Sequence, residues 1–463
     1  YSDLPDISVG RKISRSQLLS IPAELPLQGG IPCCFSSRTT MTASAALFGA
    51  GVGTIVYQLF TKFRSPVFLG SSFAFLGSMF AAFAGATSMT LGYLGLILGA
   101  AFAGLVYVIL AIAVKAAGVQ WINKLMPAVV IGPTVAIIGL SLAGNAVGDM
   151  LRGDVTIENV AAASPNVALL CGLVTLFVVI ICSIFGSKRA RLVPFIIGIM
   201  AGYAVALAFT LIGMATGNDS LLIIDFAPFK ALVADGVTLK TFLTLPEFTF
   251  VTALKGVGEL NGAYVGAIAV AYVPVAFVVF AEHIADHKNL STIINQDLLT
   301  DPGLARTLLG DGIGSMAGAF FGGCPNTTYG ESVGCVAITR NASVVSITGA
   351  AVLAMLVAFL SPVVAFLDSI PACVMGGVCL TLYGFIAVSG LKMCQDVDLN
   401  DNRNLFVVSA ILIAGVGGLT LTFGKVTITS VACALILGIL VNVVVRRKDH
   451  PEGQEHEPQQ VIK

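Results

Sequence analysis

Residues 265–288 read VGAIAVAYVPVAFVVFAEHIADHK, an apolar run of the kind that spans a bilayer, passing directly into a polar segment. Glu282 and Asp286 are four residues apart, so on a helix they share one face. A carboxylate within a membrane is costly to bury and usually marks a substrate, ion or proton pathway. This stretch therefore predicts a membrane helix that carries a functional site.

The composition of the whole chain agrees with a polytopic membrane protein. Of its 463 residues, 56% are hydrophobic and only 11% are charged, whereas soluble domains carry about 25% charged residues. The net charge of zero argues against a nucleic-acid partner. The cysteines lie mostly within apolar runs, without the spacing of a metal site, so we expect neither a metal nor another cofactor.

Apolar segments follow one another along most of the chain and predict an all-α fold of successive membrane spans. The predicted spans are 41–60, 66–83, 89–114, 126–148, 166–186, 192–214, 264–287, 306–322, 326–339, 343–367, 371–392, 404–424 and 426–445. The spans at 66–83 and 326–339 are short and interrupted by polar or small residues. A pair of such interrupted segments in corresponding halves indicates a transporter site built on inverted repeats.

The distribution of Lys and Arg predicts the orientation. If one further span precedes residue 41, most of the basic residues between spans fall on the same side as the tail 446–463. The positive-inside rule then places the C-terminus in the cytoplasm. Residues 1–40 contain no apolar run that could form that span, and Arg15 and three prolines interrupt 13–32. We expect 1–40 to be an irregular stretch in place of a first span.

Several short motifs together resemble the nucleobase–ascorbate transporter (nucleobase–cation symporter) family, most closely its bacterial uracil permeases. The resemblance runs from about Met41 to Val445, and the combination of motifs is more specific to this family than any one of them alone. The motifs are LGSSFAF at 69–75, EH at 282–283, DLL at 297–299, DPG at 301–303, FFGG at 320–323, PNTTYGE at 325–331, AITR at 337–340, GGV at 376–378 and LYG at 382–384.

This resemblance implies a fourteen-span fold of two inverted seven-span repeats, with short strands in the broken spans three and ten. It implies a core domain at 41–125 and 263–368, and a gate domain at 126–262 and 369–445. It also implies proton-coupled nucleobase uptake across the cytoplasmic membrane, often by a homodimer, driven by the proton gradient.

The resemblance also implies the site residues. Glu282, Glu331, Phe73 and Gly330 match substrate-binding positions, and Tyr329 and Tyr383 match positions nearby. Uracil offers two N–H donors and two carbonyl acceptors. The two carboxylates would accept from the ring N–H groups, and the N-termini of the broken helices would donate to the carbonyls.

Three features depart from the family pattern. Residues 1–40 do not resemble the family's first span, Asp286 stands where the well-known uracil permeases have His, and Ser332 replaces an Asn. Two carboxylates one helical turn apart in a low dielectric cannot both ionise at low cost, so one holds a proton. We therefore expect Glu282 and Asp286 to carry the proton coupling, with His283 as a further candidate.

Three alternatives remain open. A xanthine- or urate-type purine transporter of the same family differs at position 331, where an acid goes with uracil. A membrane metalloenzyme is suggested by the i, i+4 spacing of His283 and His287. An anion transporter or channel of the related sulfate-transporter fold favours a cationic or neutral centre, which the two acids oppose.

Overall fold

The computed structural model describes residues 42–118, 127–157, 160–187, 189–234, 236–395, 397–423 and 426–446, and the fold over these ranges is predominantly helical. The helices are α1 (Ala43–Phe60), α2 (Leu76–Ala84), α3 (Met89–Ala117), α4 (Ala128–Met150), α5 (Pro165–Phe185), α6 (Pro194–Thr216), α7 (Ala227–Leu232), α8 (Leu239–Phe242), α9 (Thr249–Ala253), α10 (Gly262–Ile294), α11 (Leu304–Gly322), α12 (Gly330–Thr339), α13 (Val344–Val357), α14 (Ser361–Asp368), α15 (Ala372–Met393), α16 (Asn402–Val416) and α17 (Ser430–Arg446). The strands are β1 (Leu69–Ser71), β2 (Thr156–Ile157), β3 (Val160–Ala161), β4 (Asn326–Thr328), β5 (Leu421–Phe423) and β6 (Val426–Ile428). The predicted irregular stretch 1–40 lies outside the described residues.

Within the described ranges, seven helices are long and apolar enough to cross a membrane: α1, α3, α4, α5, α6, α10 and α15. The shorter apolar helices include α13, α16 and α17. Two predicted spans are wrong in detail. The span 343–367 is divided into α13 and α14, and the span 404–424 ends at Val416, where Gly417 and Gly418 follow. Gly418 has a φ of +72°, which glycine adopts readily and which ends the helical path.

The two interrupted segments meet in the middle of the fold. β1 and β4 pair antiparallel, with Gly70 opposite Thr327, and each strand is followed by a helix start. After β1 the chain forms a 3-10 turn, Phe73–Phe75, that leads into α2, and after β4 it enters α12. Because the strands are antiparallel, the two helix starts leave from opposite ends of the short strand pair, inside the protein.

Side chains of α1 satisfy the non-helical backbone beside β1. The Thr54 hydroxyl accepts from the Leu69 N–H at 2.9 Å and lies 3.2 Å from the Leu69 carbonyl oxygen. The Gln58 amide donates to the carbonyls of Ser65 and Val67, each at 2.9 Å. A buried peptide group without a partner would be costly in a membrane, so this buried strand depends on α1.

Glycines allow α1 and α11 to touch along their backbones. A Cβ added at Gly53 would lie 2.8 Å from the Gly314 carbonyl oxygen, and one at Gly49 would overlap the Gly318 carbonyl. The side chain of Asn326 in β4 fills the remaining gap and donates to the Gly49 carbonyl at 3.0 Å. This close approach attaches β4 to the α1–α11 pair.

Helix contacts repeat between the two halves of the chain. α1 packs on α11, β1 on β4 and α4 on α15, and each of these pairs joins one element to its counterpart in the other half. The contacts of neighbouring helices show the same correspondence. α5 packs on α15, and its counterpart α16 packs on α4. α3 packs on α11, and its counterpart α13 packs on α1. Such reciprocal packing is what a repeated structural unit produces.

Asp154 connects the loop after α4 to the start of α15. Its Oδ1 accepts from the Ala372 N–H, at the first residue of α15, at 3.1 Å, and its own N–H donates to the Ile223 carbonyl at 3.0 Å. Burial raises the pKa of the Asp154 carboxyl from 3.8 to about 6. The folded protein therefore binds a proton at Asp154 more readily than the unfolded chain does.

This pKa shift predicts a pH-dependent stability. The stabilisation linked to Asp154 is fully present below pH 3.8 and is lost as the pH rises through about 6. Asp154→Asn keeps an oxygen that can accept from Ala372 but cannot ionise, so its thermal unfolding midpoint in detergent should exceed that of the unchanged chain at pH 8 and equal it at pH 4. Asp219→Asn, at an exposed position, is the matched control. An equal midpoint for Asp154→Asn and the unchanged chain at both pH values would contradict the prediction.

Candidate functional site

A cavity of about 400 Å³ opens where the two helix N-termini meet. Phe73 and Ala74 line it at the start of the 3-10 turn, and Tyr329 and Gly330 line it at the start of α12. The Ser72 N–H donates to the Pro325 carbonyl at 3.0 Å, which fixes the start of the 3-10 turn beside the residue that precedes β4. The first N–H groups of a helix have no partner within the helix, so this wall suits a ligand with acceptor oxygens.

One face of α10 supplies the acidic side of the cavity. Glu282, Ala285, Asp286 and Asn289 line it, and their spacing of three or four residues places them on one stripe of the helix. The apolar run that precedes Glu282 puts these polar groups within a long helix of 33 residues. The structure thus brings together Glu282 and Asp286, as the helical spacing predicts.

Asp286 points at the N-terminus of α12. The Thr328 hydroxyl donates to its Oδ2 at 3.3 Å, and a Cβ added at Gly330 would lie 3.5 Å from its Oδ1. A carboxylate at this position is stabilised by the positive end of the helix dipole. Asp286 and an anionic or carbonyl-bearing ligand would therefore use the same end of α12.

His283 and His287 lie on a different face of α10, about 100° around the helix from the acids, and are fully buried. The ring of His283 bonds to Asp311 Oδ2 at 2.7 Å and to the Thr307 hydroxyl at 3.0 Å. The ring of His287 bonds to the His283 carbonyl and to the Tyr57 hydroxyl, each at 2.8 Å. Neither histidine lines the cavity, and each of the four ring nitrogens has a protein partner, so the i, i+4 pair does not offer a nitrogen to a metal.

Aromatic rings form part of the cavity wall. Phe73 lines the cavity, and Tyr383 packs edge-to-face on it with ring centroids 5.3 Å apart. Tyr383 is itself buried behind Phe73 and does not line the cavity. The ring of Tyr329 lies directly on Gly70 of β1, where any side chain would overlap it. Gly70 is therefore needed for Tyr329 to occupy its position.

The second predicted acid falls partly outside the described structure. Glu331 is the second residue of α12, directly after Gly330, but its side chain lies outside the part of the chain that the structure describes. Its place in the sequence puts its backbone at the helix end that borders the cavity.

The opposite wall comes from helices that are distant in sequence. It contains Val135 and Ile138 of α4, Phe195 of α6 and residues of α15, together with Arg191 from a 3-10 turn, Ala190–Leu192, between α5 and α6. Sequence reasoning missed these residues and also Asn289. Of these residues, only Asn289 could have been predicted from the sequence, because it lies seven residues after Glu282 and therefore on the same face of the helix.

Comparison with known proteins identifies the family. The family model described as "Permease family" matches residues 31–424. The uracil permease of Bacillus caldolyticus is 38% identical over 406 residues, covering 87% of this chain and 85% of that protein. The uracil permease of Bacillus subtilis is 36% identical over 421 residues, covering 90% and 88%, and that of Escherichia coli K12 is 33% identical over 406 residues, covering 87% and 85%.

Solved structures share the fold at low sequence identity. The transmembrane domain of the cyanobacterial bicarbonate transporter BicA superimposes with a TM-score of 0.60 at 14% identity, covering 94% of this chain and all of that domain. The inward-facing murine anion transporter Slc26a9 gives a TM-score of 0.62 at 11% identity, covering 94% of this chain and 69% of that one.

The motif-based resemblance is confirmed by the family model and by relatives that align along most of their length, and the prediction that this chain is not an enzyme is confirmed with it. The chain belongs to the Permease family and is a multi-pass membrane transporter.

Proposed function

We propose that this protein is a proton-coupled symporter that takes up uracil across the cytoplasmic membrane. The observation that carries the proposal is that Glu282 lies in one cavity with two helix N-termini. The names of the relatives, which are uracil permeases, support the same substrate.

The cavity matches the hydrogen-bonding groups of uracil. An ionised carboxylate only accepts hydrogen bonds, so Glu282 suits one ring N–H of uracil. Glu331 is proposed to accept from the other ring N–H. The N–H groups at the starts of the 3-10 turn and of α12 suit the ring carbonyls. The ring of Phe73, held by Tyr383, provides a flat apolar wall, and stacking of a base on such a ring contributes about 1–3 kcal/mol.

Asp286 is proposed to share the transported proton with Glu282. The two carboxyl groups line the same cavity one helical turn apart, and mutual repulsion favours one shared proton. Protonation of Asp286 would weaken its attraction to the N-terminus of α12 and free that helix end for the substrate. His283, predicted as a further coupling residue, has Asp311 as its partner and is proposed to act behind the cavity.

The proposed architecture is fourteen spans in two inverted repeats of seven. α1–α3 and α10–α14 belong to a core domain that carries the acids and the broken helices. α4–α6 and α15–α17 belong to a gate domain that closes the opposite wall. We propose a homodimer with a cytoplasmic C-terminus. Ser183 and Met393, near the ends of α5 and α15, line the cavity on the side that the distribution of Lys and Arg assigns to the cytoplasm. We propose that the cavity opens to this side.

Uracil uptake should be inhibited by unlabelled uracil and little affected by xanthine, urate or ascorbate. The physical reason is that an acid at position 331 only accepts hydrogen bonds, whereas the purine alternative favours a side chain that also donates. The measurement is uptake of radiolabelled uracil by cells that express this chain and lack their own uracil transport. Uptake that xanthine suppresses more strongly than uracil does would support the purine alternative instead.

Glu282→Ala should weaken uracil binding roughly 5–150-fold, because an unpaired ring N–H in a dry cavity costs about 1–3 kcal/mol. Calorimetric titration of purified protein measures the change. Glu247→Ala removes the same type of side chain from an exposed position between α8 and α9 and should leave the affinity for uracil unchanged. Unaltered affinity in a folded Glu282→Ala variant would remove Glu282 from the site.

Asp286→Asn should spare uracil exchange and abolish most of the accumulation driven by a pH gradient. Asn keeps an oxygen that can accept from Thr328 but cannot bind the transported proton. Reconstituted vesicles allow both measurements on one sample, with Asp219→Asn as the exposed control. If accumulation in Asp286→Asn vesicles equals that of the unchanged protein, Asp286 has a structural role only.

A further inference from the structure

The cavity contains one cationic side chain among the described residues that line it. Arg191 shares this lining with the acids Glu282 and Asp286. The two acids come from α10, whereas Arg191 comes from the turn between α5 and α6. Opposite charges thus face one cavity from two separate parts of the fold.

A local contact orients Arg191. Its Nε donates to the Gly186 carbonyl at 2.9 Å, and Gly186 is the residue that ends α5. Cations are favoured at the C-terminus of a helix, where carbonyl groups lack partners. This bond uses one of the five N–H groups of the guanidinium.

The turn that carries Arg191 also touches the broken-helix unit. Residues Ala190–Leu192 pack on α12, and Gly334 and Cys335 of α12 line the same cavity. The turn is covalently part of the α5–α6 unit. A movement of that unit relative to α10 and α12 would therefore change the separation between Arg191 and the two acids.

We infer that Arg191 is a coupling residue that makes the proton affinity of the Glu282–Asp286 pair depend on conformation. The inference rests on the proposed function. In the conformation described here, the positive charge favours the ionised pair. The carboxyl O–H bond breaks, the proton passes to a water molecule on the cytoplasmic side, and the carboxylate remains. When the α5–α6 unit moves away, the charge moves with it and the pair can bind a proton again.

Other charged side chains near the cavity do not line it as Arg191 does. Arg189 on the same turn, Lys288 on α10 and Lys392 on α15 are exposed or partly exposed and do not line the cavity. Asp311 faces His283 on a different side of α10, and the side chain of Glu331 is outside the described structure. Arg189 therefore offers a matched control, because it carries the same charge two residues away.

The size of the effect follows from electrostatics. An opposite charge near a carboxyl group lowers its proton affinity. Arg191 is exposed, and solvent screens it, so we expect a shift of about half a unit to one unit. Removing the charge should therefore allow the protonated, binding-competent form to persist to higher pH.

The experiment is uracil binding to the purified chain, measured by calorimetry across pH 5–9. Arg191→Gln should raise the pH midpoint above which binding is lost by about half a unit to one unit, whereas Arg189→Gln and the charge-preserving Arg191→Lys should keep the original midpoint. Arg191→Ala replaces the Gln variant if that variant does not fold. In vesicles, Arg191→Gln should reduce accumulation driven by a pH gradient more than Arg189→Gln does.

A midpoint in Arg191→Gln equal to that of Arg189→Gln would overturn the inference and leave the proposed function intact. Failure of the unchanged chain to bind uracil at any pH would overturn the proposed function, and the inference with it.

Discussion

A helix that begins inside a membrane protein leaves its first N–H groups without partners, and the pairing of β1 with β4 makes two such beginnings possible together. The short strands satisfy each other, and α1 satisfies what remains. The Thr54 hydroxyl bonds to both backbone groups of Leu69, and the Gln58 amide donates to the carbonyls of Ser65 and Val67 in the extended segment before β1. The two helix starts, at Phe73 and Gly330, border the cavity.

Close packing supports this arrangement. The glycines of α1 and α11 bring the two backbones into contact, and Asn326 then reaches across to the Gly49 carbonyl. Interiors packed this closely move as rigid bodies rather than deform. The cavity, by contrast, lies between two groups of helices, with acids on one wall and apolar side chains and Arg191 on the other. Transport by relative movement of two rigid groups is consistent with this distribution of contacts.

The two faces of α10 separate two kinds of polar chemistry. The face with Glu282 and Asp286 meets the cavity, where a ligand and a proton can reach it. The face with His283 and His287 is closed by Asp311, Thr307 and Tyr57. Hydrogen bonds between buried polar groups make a region rigid and specify one arrangement. The histidines therefore hold α10 against α11 and α1, which fixes the height and rotation at which the acids enter the cavity.

The membrane character, the order of most spans, the two interruptions and the shared face of Glu282 and Asp286 are all readable from the sequence. These features depend on local composition and on helical periodicity, which are readable along the chain. The motifs also determined the family. The division of 343–367 into α13 and α14 was not readable, because α14 packs on α7 and α8 in the connection between α6 and α10, where the Thr244 N–H donates to the Phe359 carbonyl. Tertiary structure likewise decided that His283 faces Asp311, that Tyr383 stands behind Phe73, and that Arg191 joins the cavity. Each of these contacts joins residues far apart in the chain, and no local pattern records which distant groups a fold brings together.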